Sequence, residues 1–392
     1  MTVVDIRNIF SNRNIELFEV NDSFIYYAEE KNEEGHNNLF ILEYNRTTRR
    51  ERLITNYSLE DPTFVEHIFA FDKTVAVILE NGTNSMWLIE IDKKSGIELN
   101  RRKVVCTGSF NSCMALDSEH ILIYMSPDEA NKAMFEKYKE VTGCNCFCYL
   151  YNLKTNKKYF VKNTLIAKLG CDNIKLIDVH GEKYLVLLDP FAEESIKEHY
   201  YREQRWINAD IRDNIWLCNL SELEVEIENG CEEIAKKCIA SADIKALVRY
   251  IGTDGEKIYF RAKEFRTGTE KLCSYDAFTN ALEVEATLTD PENSKTLYII
   301  EEKPAKVFRV TKGSTKIYVQ GIINSEANLS YDNSMGDFIS CMDNRFVVTQ
   351  RSIYSEESKC TFTYYYIYDS QLDESESYEC NCRVYDNTLV LY

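Results

Sequence analysis

A tight turn between two apolar runs recurs along the whole 392-residue chain, and this repetition constrains the fold more than any other sequence feature. The clearest unit runs from Asp337 to Glu379, where four runs of strand-forming residues follow one another. Asp343-Asn344 is the tight-turn pair between the first two runs. Connections of hairpin length join antiparallel neighbours, so this unit predicts a four-stranded antiparallel sheet.

The turn between the first and second strand of each unit marks the register of the repeat. These turns fall at Asn21-Asp22, Asp72-Lys73, Asp117-Ser118, His180-Gly181, Asp254-Gly255, Lys303-Pro304, Asp343-Asn344 and Asp386-Asn387. From Asp22 onward, successive marks are separated by 50, 45, 64, 73, 49, 40 and 43 residues. A period of about 40–50 residues is typical of propeller blades.

A second mark repeats in phase with the first. The third strand of most units ends in an aromatic or apolar residue followed by Asp or Asn, as at Tyr44-Asn45, Ile91-Asp92, Tyr151-Asn152, Cys218-Asn219, Tyr275-Asp276 and Tyr368-Asp369. The Asx side chain can accept a hydrogen bond from the backbone two residues on. We therefore expect it to close the hairpin to the outer strand.

With these turns in place, the chain resembles the TolB-like and dipeptidyl-peptidase-like β-propellers. Their blades carry a similar Tyr-Asp-x-x-Thr-Gly turn, to which Tyr275-Asp276 followed by Thr279 corresponds here. The resemblance covers nearly the whole chain and concerns the fold. It brings no functional residue with it, because no hydrolase domain is recognised after the propeller and the Trp-Asp and Gly-His pairs of WD40 blades are missing.

The predicted fold is an all-β propeller, a single domain over residues 1–392. Counting these turns predicts eight blades, with seven as the close alternative. The last unit, Cys382 to Tyr392, has only two strands, and we expect the segment Thr2 to Asn8 to complete it and remove exposed edges.

Three segments interrupt the repeat and predict short helices, at 126–143, 190–210 and 229–243. The first carries Ala130, Met134, Tyr138 and Val141 on one helical face, and the second carries a stripe of Ile196, Tyr200 and Ile207. Each segment replaces a second-to-third strand loop or a link between units. In an antiparallel meander these connections share one end, so all three helices are expected on one face.

Composition limits the partners and the compartment. The chain has 46 basic and 64 acidic residues, a net charge of −18, which disfavours nucleic acid and anionic membranes as partners. No apolar run has the length of a membrane span or of a signal peptide. Fourteen cysteines in such a chain predict reduced thiols in the cytoplasm. Oligomeric state is left open.

No catalytic signature is recognised, and no cofactor or metal is predicted. The five histidines are scattered, and glycine-rich phosphate loops and nucleophile elbows are missing. Cys144, Cys146 and Cys148 are predicted to lie on one face of a strand, where neighbouring thiols are about 6.5 Å apart. That spacing is long for adjacent zinc ligands, so these thiols are interpreted as small core hydrophobes.

The favoured function is a non-enzymatic cytoplasmic scaffold that binds a protein or peptide through the helix-decorated face. The alternative is a hydrolase or lyase acting on a peptide or carbohydrate through that face. The segment 190–210 carries the candidate binding residues, since Tyr, Trp and Arg dominate binding hot spots. They are Tyr200, Arg202, Arg205 and Trp206. The competing interpretation is that Ile196, Tyr200 and Trp206 simply pack the helix onto its blade while the charges face water.

Overall fold

Seven four-stranded sheets follow one another along the chain in the computed structural model, and an eighth sheet has three strands. Each four-stranded sheet is an antiparallel meander of consecutive strands. The structure describes residues 2–5, 14–20, 23–33, 36–59, 63–81, 85–104, 108–203, 211–287, 296–302, 305–355, 359–380, 382–385 and 388–391.

Strands are numbered in chain order, beginning with β1 (Thr2–Asp5). Sheet 1 comprises β2 (Asn14–Val20), β3 (Phe24–Glu33), β4 (His36–Asn45) and β5 (Arg50–Leu59). Sheet 2 comprises β6 (Thr63–Ala70), β7 (Thr74–Asn81), β8 (Ser85–Asp92) and β9 (Glu98–Val104). Sheet 3 comprises β10 (Ser109–Ala115), β11 (His120–Ser126), β12 (Phe147–Asn152) and β13 (Lys157–Phe160). Sheet 4 comprises β14 (Ile174–Val179), β15 (Glu182–Asp189), β16 (Asp213–Asn219) and β17 (Lys237–Ala242).

The remaining sheets continue the series. Sheet 5 comprises β18 (Ala246–Thr253), β19 (Ile258–Glu264), β20 (Glu270–Tyr275) and β21 (Leu282–Thr287). Sheet 6 comprises β22 (Thr296–Glu302), β23 (Ala305–Lys312), β24 (Lys316–Ile323) and β25 (Asn328–Asp332). Sheet 7 comprises β26 (Asp337–Met342), β27 (Phe346–Ser355), β28 (Cys360–Asp369) and β29 (Glu374–Glu379). Sheet 8 comprises β30 (Cys382–Tyr385), β31 (Thr388–Leu391) and β1.

The sheets pack one against the next around a ring, because both faces of each sheet are apolar. Every neighbouring pair contributes to a common buried cluster, represented in ring order by Ile41 and Val77, Met86 and Ile123, Leu150 and Leu187, Ile215 and Val248, Tyr259 and Val307, Val319 and Cys341, Met342 and Leu389, and Val390 and Tyr27. The fold is therefore an all-β propeller of eight blades, and the predicted fold class is confirmed.

Sheet 8 joins the N-terminal and C-terminal parts of the chain. β1 pairs with β31 in parallel, from Thr2 opposite Thr388 to Asp5 opposite Leu391. All other strand pairs among the described residues are antiparallel. The exception is allowed because β1 is not connected to β31 by a hairpin, which would force opposite directions.

The turn chemistry expected from the sequence is present. Asp343 and Asn344 both have left-handed backbones, at φ 52° and 51°, as a two-residue hairpin turn with matching twist requires. The Asx side chains that follow the third strands accept backbone hydrogen bonds, for example from Ser95 N to Asp92 Oδ1 at 2.7 Å. The same contact closes the outer hairpins at Asn45, Asn152, Asp276 and Asp369.

Four α-helices occur in the described ranges, at α1 (Lys132–Thr142), α2 (Thr164–Leu169), α3 (Glu194–Arg202) and α4 (Leu220–Glu228). α1 and α3 lie in second-to-third strand loops, and α2 lies in the link between sheets 3 and 4. These connections share one end of the meanders, which we call the helical face. None of these helices is long and apolar enough to cross a membrane.

The prediction of a third helix at 229–243 is wrong. Its second half is β17, the outer strand of sheet 4, which pairs with β16. The helix in this connection is α4, which begins at Leu220 after the N-cap Asn219, whose side chain accepts from Ser221 N at 3.1 Å. α4 joins third to fourth strand and so lies at the opposite end, which we call the hairpin face.

The buried side of α1 also differs from the predicted stripe. Phe135, Tyr138 and Thr142 are buried, whereas Met134 and Val141 are exposed. Aromatic side chains of sheet 3 decide the rotation of the helix, because the ring of Phe135 packs edge-on against Phe147 at 5.1 Å between centroids.

Sheet 8 packs by apolar contact against both sheet 7 and sheet 1, so shortening a buried side chain there should destabilise the propeller. Leu389 is fully buried between sheets 7 and 8. We expect Leu389→Ala to lower the free energy of unfolding by about 2–5 kcal/mol. Chemical denaturation followed by tryptophan fluorescence measures this. Leu282→Ala, on the exposed outer strand β21, is the matched control and should change stability by less than about 0.5 kcal/mol. Equal effects of the two substitutions would contradict the packing role assigned to sheet 8.

Candidate functional site

Helix α3 is fixed to the propeller by a buried ion pair. Lys197 and Asp213 have side chains that are 0% and 1% exposed, and Lys197 Nζ lies 2.7 Å from Asp213 Oδ2. The same ammonium donates to the carbonyl of Ala242, at the end of β17, at 3.2 Å. The predicted stripe assigned the packing role to Ile196, but that side chain is 46% exposed. The helix buries Lys197 because the carboxylate of Asp213, at the start of β16, compensates the charge of the ammonium group.

Asp213 also holds the loop that leads into α3. Its Oδ1 accepts from Phe191 N at 2.9 Å, and its Oδ2 accepts from Arg249 Nη1 at 2.8 Å. Arg249, on the inner strand of sheet 5, donates in addition to the Ala192 carbonyl at 2.6 Å. One carboxylate therefore ties the loop, the helix and two neighbouring sheets together.

Burial determines the electrostatics of this anchor. It lowers the pKa of Lys197, and the hydrogen bond to Asp213 acts in the opposite direction. With Lys197 and Arg249 charged, two cations share one buried carboxylate. Removing that carboxylate would leave buried positive charge without compensation, which is costly.

A second group of charges links the first turn of α3 to sheet 5. Glu194 accepts hydrogen bonds from Arg261 and from Lys263, the latter at 2.7 Å. Arg261 Nη1 lies 3.1 Å from Glu270 Oε1. Burial by itself would raise the pKa of Glu194, but Lys263 and Arg261 outweigh it and lower that pKa. Burial raises the pKa of Glu270, against the opposing charge of Arg261.

The outer side of α3 exposes apolar surface. Phe191 is 41% exposed and Ile196 is 46% exposed. The ring of Tyr200 packs edge-on against Phe191 at 5.8 Å, and Tyr200 lies one helical turn after Ile196. We call Phe191, Ile196 and Tyr200 the α3 ridge.

The four residues chosen from the sequence fall partly inside the described structure. Tyr200 is half-buried and belongs to the α3 ridge. Arg202 has an exposed side chain that pairs with Glu198 one turn earlier on the helix. Arg205 and Trp206 lie outside the described residues. Sequence reasoning missed Lys197 and Asp213, because a lysine in a charged helix gives no sign of burial.

The hairpin face carries a different cluster. His120, the first residue of β11, lies close to Asp117 of the preceding turn and to Glu224 of α4. Among the described residues this is the one group of three potential metal ligands whose ligand atoms all lie within 4.8 Å of one another. Burial raises the pKa of Glu224 to about 7, and the charge of Asp117 acts in the same direction.

Thirteen of the fourteen cysteines lie in the described part of the chain, and they are thiols there. Cys144 and Cys146 precede β12 and do not share a strand with Cys148, so the predicted row of three thiols on one strand is wrong. Cys148 is fully buried, and burial raises its pKa well above the usual range. Four buried thiols contribute to the apolar cluster of sheets 2 to 4, those of Cys113, Cys144, Cys148 and Cys218. Cys273 and Cys341 pack in the clusters of sheets 4 and 5 and of sheets 6 and 7.

Neither a protein-family profile nor a curated protein sequence matches the chain. Solved structures similar to it include dipeptidyl peptidase 4 from Porphyromonas gingivalis, at 9% identity and a TM-score of 0.49, covering 96% of this chain and 55% of that one. The propeller domain of the Trilobed protease from Pyrococcus furiosus is 10% identical with a TM-score of 0.42, covering 93% and 97%. TolB from Acinetobacter baumannii is 13% identical with a TM-score of 0.31, covering 93% and 80%.

The chain spans little more than half the length of the dipeptidyl peptidase and of the prolyl endopeptidases that it also matches. The resemblance to TolB-like and dipeptidyl-peptidase-like propellers is confirmed at the level of fold. It carries no argument about activity.

The buried anchor of α3 makes a stability prediction. We expect Asp213→Ala to lower the free energy of unfolding by about 3–5 kcal/mol, because Lys197 and Arg249 lose their buried counter-ion. Glu198→Ala removes the half-buried partner of exposed Arg202 on the same helix and should cost less than about 0.5 kcal/mol. Urea denaturation of both variants measures the difference. A loss below about 1 kcal/mol for Asp213→Ala would show that this carboxylate does not anchor the helix.

Proposed function

We propose that this protein is a non-enzymatic scaffold that holds a protein or peptide partner against the α3 ridge. The observation that supports this most is the combination of a fixed helix and an exposed apolar surface. Lys197 and Asp213 immobilise α3 from below, while Phe191 and Ile196 remain open to solvent. A preorganised surface loses little conformational entropy on binding, so its apolar contacts count almost fully toward affinity.

Residues at the C-terminal end of α3 complete the proposed surface. Arg202 is the exposed cation beside the α3 ridge, and Arg205 and Trp206 follow it in the sequence. Arginine and aromatic side chains are enriched among hot spots because they combine apolar area with hydrogen-bonding groups. We propose these three residues, together with Tyr200, as partner contacts.

The proposed compartment is the cytoplasm. Its support is the set of thiols, thirteen of which are described and several of which are only partly buried. Cysteines that persist as thiols in such number are characteristic of a reducing environment.

A hydrolase or lyase acting on a peptide or carbohydrate is the second candidate. The carboxyl pair of Glu194 and Glu270, whose pKa values shift in opposite directions, favours it, since such pairs can supply an acid and a base. Both carboxylates are within reach of Arg261, however, and Glu194 is also held by Lys263. An ion network that links α3 to sheet 5 accounts for these contacts, so binding remains the preferred function.

Crosslinking from the α3 ridge tests the scaffold. A photoreactive amino acid at position 196 should capture one partner in cells, and the partner can be identified by mass spectrometry. The control places the same amino acid at position 225, in place of exposed Val225 of α4 on the hairpin face. It should not capture this partner.

Affinity measurement with the purified partner then gives the decisive comparison. We expect Ile196→Asp to weaken binding at least tenfold, about 1.4 kcal/mol, because a charge enters an apolar contact. Val225→Asp is the matched control, an exposed apolar helix residue on the opposite face, and should leave affinity unchanged. Equal loss in both variants would contradict the proposed surface. Turnover in a screen of peptide and carbohydrate substrates, abolished by Glu270→Gln, would replace the scaffold with the enzyme.

A further inference from the structure

A histidine and three carboxylates converge on the hairpin face, between sheet 3 and α4. Asp117 lies in the turn between β10 and β11 and His120 begins β11, while Glu224 and Glu228 occupy successive turns of α4. The side chains of His120 and Glu224 are only 12% and 14% exposed. Most of this charge is therefore removed from water.

The spacing of the donor atoms fits one bound ion. His120 Nδ1 lies 3.1 Å from Glu224 Oε1 and 3.3 Å from Asp117 Oδ1. In a tetrahedral zinc site with metal–ligand bonds of about 2.0–2.1 Å, neighbouring ligand atoms are about 3.3 Å apart. The two contacts of His120 thus already have the separations that a shared cation would impose, and the ligand atoms of all three residues lie within 4.8 Å of one another.

An orphan acceptor separates this cluster from an ordinary acidic patch. Glu224 Oε1 is buried and accepts no hydrogen bond of good geometry within the described structure, and His120 Nδ1 approaches it to 3.1 Å only as an ion pair. A buried carboxylate oxygen without a hydrogen bond is costly, since it has lost water without gaining a donor in return. A cation between Glu224 and His120 would satisfy it.

We propose that Asp117, His120 and Glu224 bind a divalent transition-metal ion, Zn²⁺ being the ion that fits best. One imidazole nitrogen and two carboxylate oxygens form a donor set that zinc accepts, and three protein ligands leave a fourth position for water. Because the ligands come from sheet 3 and from the helix of sheet 4, the ion would fasten α4 across two blades. This site lies on the face opposite the α3 ridge and is independent of the proposed function.

The surroundings of His120 Nε2 make the proposal specific. A neutral imidazole that binds metal through Nδ1 carries its proton on Nε2, which then needs an acceptor. Glu228 Oε1 lies 3.7 Å from Nε2, which is too far for a hydrogen bond. Asn152 cannot accept one either, because its Oδ1 accepts from Thr155 N at 2.8 Å and its amide nitrogen is the atom 2.8 Å from Nε2. Replacing that amide by a carboxylate should therefore strengthen metal binding.

The experiment uses the tag-free full chain, freed of metal by a chelator and titrated with Zn²⁺ by calorimetry. We expect one equivalent per chain, bound at least 100-fold more weakly by His120→Ala and by Glu224→Gln. His180→Asn removes a histidine that also faces a carboxylate on the hairpin face, that of Asp276, and should bind like the parent. Asn preserves the left-handed backbone at that position.

A second comparison tests the role of His120 Nε2 by itself. Asn152→Asp should tighten binding about tenfold, the size typical of contacts behind a metal ligand. Lys154→Gln changes net charge by the same amount at a neighbouring exposed residue and should leave affinity unchanged. Co²⁺ in the unsubstituted protein adds a readout that does not depend on any variant folding, because a four-coordinate site gives intense visible absorption.

The proposal is overturned if Zn²⁺ fails to bind at micromolar free concentration or if Co²⁺ gives only the weak spectrum of the hexahydrated ion. Equal affinity of the parent and His120→Ala overturns it as well, since the bound ion would then be adventitious. Equal tightening by Asn152→Asp and Lys154→Gln would remove the role assigned to Nε2.

Discussion

Apolar packing between neighbouring sheets is the constraint on which the rest of this structure depends. A sheet inside the ring must present an apolar face to each neighbour, and this is why strands such as β11 and β12 are buried almost throughout. The outer strands face water instead, and β21 and β29 are correspondingly exposed and rich in glutamate. Charge on these free edges discourages pairing with other chains.

The arrangement of the sheets also determines where charged and polar side chains can lie. The interfaces between sheets are filled by side chains, so charged groups collect at the two ends, where loops and turns emerge. Some charged side chains are buried nonetheless, and Asp213 is one of them, beneath α3 with two cations. A buried ion pair of this kind contributes little to net stability compared with apolar packing, but it permits only one position of the helix. The geometry of the α3 ridge therefore follows from one carboxylate at the start of β16.

The two ends of the propeller have different chemistry. The helical face combines a rigid helix with exposed apolar and aromatic side chains, which suits contact with a macromolecule. The hairpin face has tight Asx turns, and at one place a helix inserted after Asn219 brings carboxylates against His120. That helix uses the same Asx hydrogen bond that closes the other hairpins, so a single local motif leads to two different structures.

The sequence by itself determined the blade register, because turns such as Asp343-Asn344 and the Asx contacts of Asp92 or Asp276 depend on hydrogen bonds within a few residues. Strand alternation between such turns follows from the same local information. Only the tertiary structure decided that 237–242 is a strand and 220–228 a helix, because the alternating run Leu223 to Ile227 suits either and packing against sheets 3 and 4 selects one. Local sequence patterns could predict neither the burial of Lys197 nor the contact between His120 and Glu224. In each case the partner lies on another element, 16 and about 100 residues away, and packing within sheet 4 or between sheets 3 and 4 brings the two together.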